Sequence, residues 1–297
     1  MALKIKKLGK ICLLMISRNL RWLVILLKSF FQKNKKYKVL NFEMFLNPRG
    51  AGLDLKENSI HKQLALDGIR ENQATRIMQK FISPNDVVLE LGANIGYYVL
   101  IEAKIIKNGF IYAVEPSPEN VNLLKKNVVL NNLRNIEICD IAIADKTRRA
   151  ELFLSKASNF HSLIKHKKSQ HSQKSIMVRT ETVDYFLKKR KQITFLRMDI
   201  EGYETEVIKS MEKTFLSPKF RKIFVEIHPH NVSAKKMRSF LEKMKTHGFK
   251  LEHAISHDNF QRKILGQTRV EKLSLEQLMG DKRVVNKDGA FELFLQR

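Results

Sequence analysis

The chain has 297 residues, enough for one α/β domain with extensions, and 55 Lys plus Arg against 30 Asp plus Glu leave a formal net charge of +25. With 43% apolar residues it is not a disordered chain, and with only Cys12 and Cys139 it has no disulfide framework. Cys139 sits in an apolar run and reads as a core thiol, and no compact Cys/His spacing marks a metal site.

Residues 1–36 carry ten Lys or Arg and no acid. Two apolar runs, Ile11–Ile16 and Trp22–Leu27, are split by Arg18, Asn19 and Arg21. Neither run approaches the ~20 apolar residues of a membrane span. At ~100° per residue, Lys7, Lys10, Ser17, Arg18, Arg21 and Lys28 form one stripe. Leu13, Ile16, Leu20, Trp22, Leu23 and Leu27 lie on the broad remainder, while Leu14 and Ile25 intrude on the stripe. This is the pattern of an interfacial helix on an anionic membrane surface, or of a helix packed on its own domain or in an oligomer.

Residues 37–80 read as a cap with a lead-in helix. The turn Asn47-Pro48-Arg49-Gly50 follows the apolar stretch Val39–Leu46, and Glu71–Ile82 has helical core spacing. The main domain, 81–297, alternates strands and helices. Val87–Leu91, Phe110–Val114, Ile136–Ile143, Thr194–Met198 and Lys222–Ile227 are apolar enough for a doubly covered parallel sheet. Tyr97–Lys107, Pro118–Asn131, Asp184–Arg190, Thr205–Phe215 and Ser233–Thr246 are the intervening helices. Ala150–Leu154 and Ile176–Val183 form an added strand pair around a polar loop, Lys165–Lys174, and Phe249–Ala254 and Ala290–Leu295 close the sheet.

The run Glu90-Leu-Gly92-Ala-Asn94-Ile-Gly96 follows a strand and opens a helix, the setting a cofactor turn needs. Gly92 and Gly96 allow close backbone approach, and the helix start offers free N–H groups. Glu115 ends the next strand, within the ~20 residues at which an acid meets ribose hydroxyls. Glu90 beside the turn repels a pyrophosphate and suits a cation, which favours the sulfonium of S-adenosyl-L-methionine (SAM) over a dinucleotide. Asp199-Ile-Glu201-Gly202 ends the fourth strand, where ligands of open α/β sheets sit. Asp199 and Glu201 therefore read as a carboxylate pair able to raise one pKa and serve as a base, with Glu201 alternatively a helix cap. His228, at the end of strand five, is the rival base, and His161 in Ser158-Asn-Phe-His-Ser162 a weaker one.

Three segments together resemble the FkbM-type family of class I SAM-dependent methyltransferases. They are Val87-Val-Leu-Glu-Leu-Gly-Ala-Asn-Ile-Gly-Tyr-Tyr98, Ala113-Val-Glu-Pro-Ser-Pro-Glu-Asn120 and Leu196-Arg-Met-Asp-Ile-Glu-Gly-Tyr-Glu204. The resemblance covers about residues 40–295 and leaves the basic N-terminal segment outside. It implies an α/β, Rossmann-like fold with a mostly parallel seven-stranded sheet and a C-terminal antiparallel hairpin. It further implies that Glu90, Gly92, Asn94 and Gly96 hold the methionine end of SAM and Glu115 its ribose. Asp140 would accept from the adenine amine, and Ile141 would pack on the ring.

The resulting expectation is O-methylation of a hydroxyl on a saccharide, glycolipid or other small metabolite. The enzyme would be cytoplasmic and peripheral on the inner face of the membrane. An RNA or protein methyltransferase is the main rival, although no RNA-stacking aromatic cluster supports nucleic acid as partner. A non-catalytic interaction protein that keeps the cofactor fold is the third reading.

Overall fold

The computed structural model describes residues 2–32, 35–53, 59–165, 171–256, 268–286 and 290–297, with side chains described from residue 11 onward except at 171–173. The first helix, α1 (Ala2–Phe31), leads to a hairpin of β1 (Lys36–Val39) and β2 (Phe42–Phe45). Then come α2 (Pro48–Ala51), α3 (Ile60–Asp67) and α4 (Asn72–Phe81). These cap elements are not a separate unit: Tyr37, Met44, Leu64 and Met78 share one core with Ile95, Val99 and Leu100 of the main domain.

The main sheet alternates as the apolar runs require: β3 (Val87–Leu91), α5 (Tyr97–Ile105), β4 (Phe110–Val114), α6 (Pro118–Leu130) and β5 (Ile136–Cys139). The predicted third strand is cut short there, because β6 (Ala142–Ile143) leaves the sheet to pair with β8 (His171–Glu181). With β7 (Arg148–Ser155), these make a separate three-stranded sheet. The polar loop expected at 165–174 falls partly outside the described residues, and residues 171–174 already belong to β8.

After α7 (Val183–Phe186) the chain returns as β9 (Phe195–Met198). The helix expected over 205–215 is broken into α8 (Glu204–Val207), a 3₁₀ turn and α9 (Glu212–Leu216). The chain continues with β10 (Lys222–Ile227), α10 (Ala234–Thr246), β11 (Lys250–Ser256), β12 (Val270–Glu271), α11 (Leu275–Gly280), α12 (Lys282–Val285) and β13 (Phe291–Gln296). Strand order is β12-β11-β13-β10-β9-β3-β4-β5, eight strands rather than seven because β12 adds a two-residue edge. Strands β10, β9, β3, β4 and β5 run parallel, and β13 slots antiparallel between β10 and β11. This is the class I methyltransferase topology.

Chain direction across the sheet reverses between β3 and β9, so the crevice for a ligand opens outside their carboxyl ends. Successive side chains of a strand point to opposite faces. Leu89, Leu91, Leu196 and Met198 enter one core, and Val88 and Phe195 the other. That alternation also puts Glu90 and Arg197, which face each other in register, on the side covered by α4 and α5.

Candidate active site

A cleft opens at this switch point, lined by the turn after β3, the ends of β4 and β9, the cap and the second sheet. The floor is the turn after β3. Gly92 has φ +82°, and a Cβ there would lie 2.1 Å from the Asp199 carbonyl oxygen, so only glycine lets β3 and β9 end side by side. Asn94 is also left-handed, at φ 50°, and its side-chain oxygen accepts from the Ile95 N–H. Gly96, at φ +95°, starts α5, where a Cβ would meet Leu124 at 2.7 Å.

Glu115 is buried at the end of β4. Its oxygens accept from the Asn94 N–H at 2.9 Å, the Ser117 N–H at 3.0 Å and Asn120 Nδ2 at 3.2 Å. A carboxylate has about four lone-pair directions, so capacity for hydroxyl donors remains. Burial nonetheless pushes its pKa to about 7, against the pull of those donors. The far wall differs from expectation. Asp140 is exposed and Ile141 only half-buried against the core, and the cleft is lined instead by Ala142 and Ile143, with Leu152 and Leu163 from the second sheet. The chain leaves the main sheet at this point, which shifts the wall along by two residues.

Glu90 is ion-paired with Arg197, Nη1 to Oε1 at 2.8 Å, and the same guanidinium reaches Asp199 at 3.3 Å. Arg197 also lies 4.2 Å over the Tyr98 ring. Beneath the pair sits the fully buried Glu102, whose pKa burial and the Glu90 charge hold well above the carboxylate range. Protonated, Glu102 donates to Glu90; ionised, neither of its oxygens has a donor.

Asp199 and Glu201 both face the cleft. Burial, then the Glu226 charge, lifts the Asp199 pKa to about 7 despite Arg197, and burial lifts Glu201 well above its usual range. Glu201 does not cap the following helix. The N-cap of α8 is Tyr203, with no side-chain bond, while Glu204 accepts from the Gly202 and Ile200 N–H groups at 3.0 and 3.3 Å and so ties down the turn before the helix. His228 is not the expected base. Its Nδ1 lies 3.1 Å from Glu204, and its Nε2 lies 3.5 Å from Glu201 and 3.6 Å from Glu226. Burial opposes its charge, but those carboxylates raise its pKa well above the usual imidazole value, which disfavours it as a base. It stands behind Glu201 and outside the cleft lining. His161 does line the cleft, and its Nδ1 accepts from the Ser155 N–H at 2.9 Å, which leaves the neutral ring's proton on Nε2.

Several site residues carry no strong sequence signal. Arg70 reaches in from the cap, paired with Glu71 through Nε, while its buried Nη1 has no protein partner. It is held by the start of α5. The Tyr97 hydroxyl bonds the Arg70 N–H and carbonyl at 3.1 and 3.0 Å, and the Tyr98 hydroxyl donates to Glu71 at 2.9 Å. Arg197 and Glu226 are legible only in hindsight, as charges inside apolar strands. Asp199, Glu226 and His228 also bring one ligand atom each within 4.8 Å of the others, a set able to hold a divalent cation that no sequence spacing reveals.

A family model described as the methyltransferase FkbM domain matches residues 90–251, more than half of the chain. The chain belongs to the FkbM methyltransferase family. Among curated proteins, it is 30% identical over 103 residues to a tRNA(Phe) (4-demethylwyosine(37)-C(7)) aminocarboxypropyltransferase of Methanocaldococcus jannaschii, an overlap of 30% of this chain and 41% of that protein. The chain thus spans less than half the length of the curated relatives it matches. Among solved structures, the FkbM methyltransferase of Methylobacillus flagellatus overlaps with a TM-score of 0.42 at 12% identity, covering 84% of this chain and 56% of that one. Aeropyrum pernix fibrillarin with natively bound S-adenosyl-L-methionine overlaps at 0.41 and 12% identity, covering 75% of this chain and 74% of that one. In this FkbM member the cleft fits SAM on its own chemistry. Glycine floors it, carboxylates line it, the buried Arg70 Nη1 has no protein partner and could meet an α-carboxylate, and an apolar wall could take a purine.

Proposed function

We propose that this FkbM protein is a SAM-dependent O-methyltransferase acting on a hydroxyl of a saccharide, glycolipid or other small metabolite. SAM, when bound, supplies a methyl group already activated on a sulfonium. The protein's part is then to hold the acceptor oxygen in line and remove its proton. One observation carries the reading: Asp199, held at the cofactor turn by the Gly92 contact, has a pKa near 7 and a buried Oδ1 with no protein donor. Such a carboxylate can bind a hydroxyl and take up its proton at neutral pH. Arg197 keeps it oriented, and Glu201 places a second carboxyl beside it with His228 behind.

Calorimetry with SAM is the first test, and absence of binding at millimolar SAM would refute the enzyme reading. Label from [methyl-³H]SAM should enter the carbohydrate and lipid fractions of a cell extract. An RNA acceptor is the rival, favoured by the net charge and by the tRNA-modifying relative. Base-stable label in RNA alone would decide for it. Asp199→Asn should retain SAM affinity and lose turnover by roughly 100-fold, the usual scale of one general base.

A further inference from the structure

We infer that α1 is an in-plane helix that seats the enzyme on an anionic phospholipid surface. The inference stands apart from the acceptor's identity. It starts from how α1 is docked. Trp22 is buried, and its Nε1 donates to the Gly52 carbonyl at 2.8 Å. Arg18 forms a two-pronged pair with Asp67 at 2.6 and 2.8 Å, and Asn19 accepts from the buried Lys62 at 2.6 Å. Ile11 and Ser29 are buried on the same side. Arg18 and Trp22 therefore belong to neither the free basic stripe nor the free apolar arc that the sequence pattern suggests.

Half of the apolar arc is left over. At ~100° per residue, Leu13, Ile16, Leu20, Leu27 and Phe31 point away from the docked side, and each is at least 55% exposed. A ridge of that size on a soluble surface marks an interaction site. Arg21 and Lys28 are exposed along its flank. The occupant follows from charge. Residues 1–36 hold ten cations and no acid, so a second copy laid on the ridge would bring like charges together. An anionic bilayer offers acyl chains to the ridge and headgroups to the flank at once. No helix among the described residues is long and apolar enough to cross a membrane, but 30 residues lying flat give a footprint of ~45 Å. Because α1 is bonded to α3, whose Ile60 lines the cleft, the bilayer would hold the cofactor site at a fixed attitude to its surface.

The test is sedimentation of the full chain with phosphatidylcholine vesicles with and without 30% phosphatidylglycerol, read beside SAM calorimetry. Binding is expected to the anionic vesicles and to weaken at 1 M salt. Leu20→Asp/Leu27→Asp should cut it roughly 100-fold, about tenfold per buried leucine, with SAM affinity unchanged. Arg21→Glu/Lys28→Glu should abolish the preference for anionic vesicles. The inference is overturned if the wild type ignores anionic vesicles, if the leucine variant still binds them, or if the wild type is a dimer that this variant converts to monomer. Loss of SAM binding would strike the catalytic reading instead and leave the vesicle result intact.

Discussion

Replacing Arg197 by Met isolates the electrostatic centre of the site. The guanidinium is 4% exposed and sits between Glu90, 1% exposed, and Asp199, 15% exposed. Met matches its length but leaves both carboxylates in low dielectric without their cation. Removing one partner of a buried ion pair costs ~3–5 kcal/mol. For a protein of this size that corresponds to a melting temperature lowered by roughly 5–8 °C, measurable by differential scanning fluorimetry. The loss should depend on pH in a defined direction. Both carboxyls already titrate above their usual range with Arg197 in place. Without it their folded pKa values rise further above the unfolded ones, so the folded state binds more protons, and stability falls as pH rises from the ordinary carboxylate pKa through the folded value. The deficit of Arg197→Met should therefore be smaller near pH 5 than near pH 8, and adding Glu90→Gln should recover part of it at pH 8. A cost below ~1 kcal/mol, or one that grows toward acid pH, would refute the argument.

Gly92→Ala should destabilise by more than ~2 kcal/mol and abolish SAM binding by calorimetry, since the new Cβ meets the Asp199 carbonyl at a positive φ. Glu115→Gln should weaken SAM about tenfold if its carboxylate binds hydroxyls, and wild-type affinity should decline as pH falls below about 7, where that carboxyl protonates. Turnover should rise with pH through about 7 as Asp199 ionises, and a pH-independent rate would remove it as the base. Trp22→Ala should free α1, seen as faster proteolysis around residues 32–35 with SAM affinity retained, because its burial and its bond to Gly52 hold the helix down.

The carboxyl-end residues were readable early because they are local. A strand ending in Glu90-Leu-Gly92 and another ending in Met198-Asp199 each declare their own chemistry. Which residues wall the cleft beyond β5 was not legible, because that depends on where β6 departs to pair with β8, a pairing made far along the chain. The setting of His228 was not legible because it depends on Glu201, Glu204 and Glu226, which the fold alone brings together.

The amino-acid sequence by itself determined the parallel sheet, the glycine turn, the acids at strand ends and the amphipathic N-terminal helix. Each follows from hydrophobic period or backbone freedom over a few residues. Tertiary structure decided which acids are neutral, which cation serves them, that Arg70 enters from the cap, and which half of α1 stays exposed. Those are properties of burial and of charges set side by side by strands distant in sequence, and an electrostatic environment has no one-dimensional signature.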